Sequence, residues 1–194
     1  MPSPIGHALA GTAVVWAADL IDRRRSPIGL TATCAALAAL PDLDLLVPRS
    51  HRSATHSLAA VLLVLIIAAA MTGKVTRLRA GRYGGQARWR VGLICAAAYA
   101  SHLVLDWLGA DQYPPGGIQL LWPFGHHFFK SGWDVFDQTE RQRLFANDVM
   151  IQNIRAIGKE IAMLAPIVVA LWLIRVKALA RFPSELARRD HPTQ

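Results

Sequence analysis

The chain has 194 residues, 53% of them apolar, with a mean hydropathy of +0.30 and a formal net charge of +8. So much apolar sequence excludes a disordered chain or a nucleic-acid binder with one basic face, and the charges fall in blocks between apolar runs, as in a polytopic membrane protein. Cys34 and Cys95 each lie inside an apolar run, which leaves no disulfide framework or thiolate metal site and makes both small buried hydrophobes.

The first apolar run, Ile5 to Leu20, has the length of a signal peptide. It has no basic residues before it and Arg23, Arg24 and Arg25 after it, so it is expected to be a retained helix with its amino end outside. The second, Ile28 to Val47, is interrupted by Pro41 and two aspartates, and like the first is expected to face lipid only in part. Ser57 to Gly73 and Val91 to Gly109 are the clearest spans, and Ile161 to Val176 is the fifth, all near the ~17 to 25 residues that cross a bilayer. Threading five spans with the amino terminus outside places fourteen Lys and Arg inside and seven outside, the bias expected of an N-out, C-in protein.

Between the third and fourth spans, GKVTRLRAGRYGGQARWR reads as the positive anchor of two helix ends in preference to a nucleic-acid or lipid-headgroup patch. Asp111 to Trp133, dense in Pro, Gly and aromatics, is expected to be an ordered outer loop at the membrane surface. From Phe136 to Met163, the residues Leu144, Ile151, Ile154, Ile157 and Ile161 recur at helical spacing among charges, which predicts an amphipathic interfacial helix leading into the last span. The expected architecture is therefore an all-α polytopic membrane bundle of about five spans. Residues 1–181 form one domain and 182–194 a cytoplasmic tail.

Candidate chemistry concentrates in Pro41 to Ser57, PDLDLLVPRSHRSATHS, which places Asp42, Asp44, His51, Arg52 and His56 between two apolar runs. A polar loop with a capped helix start is the plainer reading. Against it, the topology brings His7, His102 and Asp106 to the same outer face. His102 and Asp106, at i and i+4, share one side of a helix, either as a hydrogen-bonded pair or as two ligands of one ion. An aspartate within a span is costly and marks function.

Imidazole and carboxylate without thiolate suit zinc, or manganese, magnesium or iron where carboxylates dominate. The expected ligands are His7, Asp42, His56, His102 and Asp106, around one ion or two. Asp44 is a supporting acid or the general base, Arg52 a stabiliser of an oxyanion or phosphate, and His51 a further ligand or a proton donor. His126 and His127 fall on the same side; His191 is assigned nothing. Three readings follow: a metal-dependent hydrolase of a phosphoester or similar amphiphile with membrane lipids as surroundings and no nucleic acid, an ion- or proton-coupled transporter, and a scaffold with a structural ion.

The set HxxxG at His7 to Gly11, PDLD at Pro41 to Asp44, HRSATHS at His51 to Ser57, HLVLD at His102 to Asp106 and LLWPF at Leu120 to Phe124 resembles the YdjM-like membrane-bound metal-dependent hydrolases over residues 5 to about 125. That resemblance implies an integral inner-membrane protein with a metal-dependent hydrolytic activity. The order His, Asp, His, then His-x-x-x-Asp is also similar to the zinc-dependent phospholipase C and nuclease group, which implies a phosphoester substrate. That group also uses its amino-terminal amine and a second such pair, and no second pair follows Asp106 here.

Overall fold

The computed structural model describes residues 2–46, 52–80, 84–140, 143 and 145–180. His51, most of the basic run between the third and fourth apolar stretches, and the 182–194 tail lie in whole or in part outside the described residues or their side chains.

Five helices carry the fold: α1 (Pro4–Asp22), α2 (Ile28–Ala39), α3 (Leu58–Ala80), α4 (Gly84–Leu108) and α5 (Asn147–Ala180). Ser3 caps α1 by accepting the Gly6 N–H, and Pro4 occupies the first turn, where a missing N–H leaves nothing unpaired. Pro41 cannot continue α2, and the chain tightens into a 3-10 turn, Leu40–Leu46, that carries both aspartates. A second 3-10 turn, Ala54–His56, leads into α3, whose first free amide at Ala60 is taken by Ser57 Oγ.

α4 is the central helix, packed against α1, α2 and α3, while α5 packs against α1. Between them Val15, Cys34, Ile94, Cys95 and Ala98 form a buried apolar layer. Cys34 and Cys95 are free thiols there, Sγ to Sγ 4.0 Å, as their apolar settings imply. Gly11 allows the closest crossing: a Cβ on it would lie 2.5 Å from the Cys34 carbonyl oxygen and 2.7 Å from Ala38 Cβ.

One expectation changes in detail. Four helices are long and apolar enough to cross a membrane, Pro4–Asp22, Ile28–Leu45, Gln86–Leu108 and Asn147–Ala178, and α3 is apolar over Leu58–Lys74 within the described side chains. The amphipathic stretch before the last span is not a separate interfacial helix. Gly158 and Pro166 both fall inside α5 without ending it, so the stretch and the span run as one 34-residue helix. At 1.5 Å per residue that is ~51 Å, well beyond a ~30 Å hydrocarbon core.

Residues 109–140 fold back over one end of the bundle rather than simply lying beside it. Ala110 N–H donates to Phe136 O (2.8 Å), Gln119 N–H to Arg52 O (2.9 Å), and Leu58 N–H to Leu120 O (3.0 Å), and Ile118 is buried beneath.

Candidate metal centre

The start of α1, the turn after α2, the turn before α3 and the last turns of α4 meet at that covered end. Each brings one part of a buried cluster. His7, His56 and His102 are fully buried and Asp106 is 1% exposed; Asp42 and Asp44 are buried too. Neither nitrogen of His7 and neither oxygen of Asp106 makes a hydrogen bond of acceptable geometry. Leaving a buried polar atom unsatisfied costs about 1 to 3 kcal/mol, so His7 Nε2 and the two Asp106 oxygens, which face one another, are placed to take a ligand.

Their spacing is that of ligands. His56 Nε2 and His102 Nε2 are 3.0 Å apart, and Asp106 Oδ2 lies 3.2 Å and 3.1 Å from them. His7 Nε2 is 3.4 Å from Asp106 Oδ1 and 3.9 Å from Asp42 Oδ2, and its ring stacks on His102 with centroids 3.7 Å apart. Two atoms each ~2.0 to 2.1 Å from a tetrahedral zinc are themselves roughly 3.3 Å apart. Among the described residues, two triads have ligand atoms within 4.8 Å of one another: His7, His102 and Asp106, and Asp42, His56 and His102. All five expected ligand residues therefore converge.

The supporting contacts give the other motif residues their places. His102 Nδ1 is 2.7 Å from Ala38 O, which fixes it as the N–H tautomer and leaves Nε2 with a lone pair directed into the cluster. His56 Nδ1 faces Asp44 Oδ2 at 3.2 Å, so Asp44 sits behind the imidazole. The same oxygen accepts Thr55 Oγ1–H (2.6 Å) and Arg52 N–H (3.0 Å), and Tyr99 on α4 holds this turn by donating to Thr55 O (2.7 Å). Burial draws the His56 pKa down, but contacts with Asp106 and Asp44 outweigh it and raise it to about 9.

Arg52 takes the left-handed backbone (φ 67°), and its guanidinium turns to Asp111, which also accepts the Gly117 N–H. Its charge thus anchors the covering loop, with Nε left without a hydrogen bond. Asp44 and Arg52 surround the centre rather than face it, and His51 is outside the described residues. His126 and His127 are exposed and belong to neither triad. Sequence reasoning missed Thr55, Tyr99, Asp111 and the Ala38 carbonyl. Tyr99, one turn before His102, carried a signal in its spacing; a main-chain carbonyl carries none.

A second polar cluster lies at the opposite end. Buried Asp19 accepts Ser26 N–H and O–H, Arg175 Nε–H (2.7 Å) and, at 3.4 Å, an Arg90 N–H. Twelve residues of α1 separate it from His7, ~18 Å, and the Val15, Cys34 and Cys95 layer fills the interval.

A sequence model of the YdjM inner membrane protein family matches residues 1–181. No curated protein and no solved structure gives a significant match.

Proposed function

The chain belongs to the YdjM inner membrane protein family, and from that premise we propose that it is a membrane-bound metal-dependent hydrolase whose centre faces the extracytoplasmic side. Its substrate is a phosphoester or another amphiphilic molecule of the envelope. The observation that carries this reading is the gathering of three imidazoles and the Asp42 and Asp106 carboxylates in two overlapping buried triads, with the side-chain polar atoms of His7 and Asp106 left without a hydrogen bond. Nitrogen and oxygen donors at these separations suit zinc first, with manganese, magnesium or iron next. Both triads need His102, whose Nδ1 is occupied by Ala38 O, and one Nε2 lone pair binds one ion; this favours a single ion over two. When bound, a divalent ion supplies Lewis acidity and water made acidic towards pKa ~7. Asp44, through His56, fixes the ring that would hold it, and the Arg52–Asp111 pair holds the loop that keeps bulk water out.

The positive bias of the intervening segments supports the N-out orientation. Transport is disfavoured by the apolar layer between the two polar clusters, since a path must reach both faces. A structural ion is the second reading, favoured by the near-complete burial of every ligand, because structural sites are closed and catalytic ones keep a position open.

The test is elemental analysis of detergent-purified protein beside His102→Ala and Asp106→Ala, followed by hydrolysis assays on phosphoester lipids. About one ion per chain, lost in both variants, together with ion-dependent hydrolysis supports the proposal. Stoichiometric ion without any turnover, and unfolding on chelation, establishes the structural reading instead; no ion at all ends both.

A further inference from the structure

Each imidazole but one has a partner on its far nitrogen. His102 Nδ1 has Ala38 O, and His56 Nδ1 has Asp44 and Thr55. His7 Nδ1 has no hydrogen bond. Among the described residues its ring is therefore placed by its stack on His102, by the approach of Nε2 to Asp106 and Asp42, and by where the first turn of α1 lies. That turn is held from another helix. Glu160 on α5 is fully buried, and its carboxylate accepts the Ser3 N–H (2.9 Å) at Oε1 and the Ser3 hydroxyl at Oε2. Ser3 Oγ in turn caps Gly6 N–H, and Ser3 O accepts the His7 N–H (3.1 Å). Gly6 makes the approach possible, since a Cβ there would lie 2.8 Å from Glu160 Oε2. A carboxylate at a helix amino terminus also meets the favourable end of the dipole.

We propose that Glu160 is a positioning residue of the metal centre, setting the place of His7 through Ser3 and the first turn of α1. This rests on the reading of the centre as a metal site. Glu160 supplies to the third imidazole, at one remove, what Ala38 and Asp44 supply to the others. Loss of such support typically lowers metal affinity about tenfold to a hundredfold.

The experiment is titration of the full-length, detergent-purified protein with Co²⁺ alone, reading affinity and the visible ligand-field spectrum. Glu160→Ala is expected to bind at least about tenfold more weakly, with the spectrum of His7→Ala, and to add nothing further in the His7→Ala background. Glu160→Gln, whose amide can still accept from Ser3 N–H and donate to Ser3 Oγ, is expected to retain both affinity and spectrum. Ser3→Ala keeps the main-chain half of the contact and should show a smaller loss in the same direction; it decides the matter if Glu160→Ala does not fold. Arg175→Met loosens α5 at its other end and should leave the spectrum unchanged.

A Glu160→Ala protein, or in its place Ser3→Ala, with wild-type affinity and spectrum overturns the inference while leaving the metal centre standing. So does an Arg175→Met protein that loses Co²⁺ as Glu160→Ala does, or a Glu160 effect that adds fully to that of His7. Wild-type protein that binds no Co²⁺ overturns the centre and this inference together.

Discussion

Asp106 is the residue whose removal should matter most, because its two oxygens lie between all three imidazoles and have no other hydrogen bond. Asp44 acts from behind His56, so Asp44→Asn should keep the ion but weaken it about tenfold to a hundredfold, measured by competition with a chromophoric chelator. The pH dependence of stability that His56 gives the ion-free protein should be largely removed by the ion. The ion-free His56 pKa of about 9 lies above the ordinary 6.5, so the stability of its charged contacts is complete below about 6.5 and lost as pH rises towards 9. An ion requires the neutral imidazole, so the stabilisation that zinc adds should grow over the same interval. Melting curves in detergent with and without zinc across that range test both trends.

At the scale of elements, two contacts govern how helices meet. Gly11 is where α1 touches α2, and Gly11→Ala has only backbone and a methyl to push against. The helices must separate, at about 1 to 3 kcal/mol. Ala38 then draws away from His102, so metal affinity should fall along with the melting temperature. At the other end, Arg175 ties α5 to Asp19 and to Ser26 O. Removing one member of such a buried pair costs about 3 to 5 kcal/mol, so Arg175→Met should melt markedly earlier while its metal content is unchanged. Only 6% of the α5 span is buried within the chain, which is why these few polar anchors carry so much of its attachment.

For the whole molecule, the arrangement is a bundle with a polar cluster at each end and an apolar layer between. The orientation can be read with a membrane-impermeant thiol reagent on intact cells, since both native cysteines are buried. A cysteine replacing exposed Lys130 in the covering loop should label, and one replacing Arg24 should not. The reverse pattern would place the centre on the cytoplasmic side and remove the envelope substrate. The exposed aromatics Phe124 and Trp133 belong to the covering segment, as side chains of the lipid headgroup level would.

What the sequence by itself determined is the helical class, the segregation of charge from apolar runs, and the identity of the residues that gather at one end. Those follow from local quantities: residue type, run length and the helical repeat that puts His102 and Asp106 on one side. Even so, it divided the long last helix in two, because the change from amphipathic to apolar marks a change of surroundings and not an end of hydrogen bonding. Only the tertiary structure decided what each polar residue does. Pro41 turns α2 into a 3-10 turn in which Asp42 meets His7 while Asp44, two residues on, meets His56 from behind. Arg52 goes to Asp111, fifty-nine residues away, and Glu160 to Ser3 at a separation of 157. A carboxylate or guanidinium buried among apolar helices must find a partner, but which partner it finds is fixed by how the helices pack, and no local pattern records that.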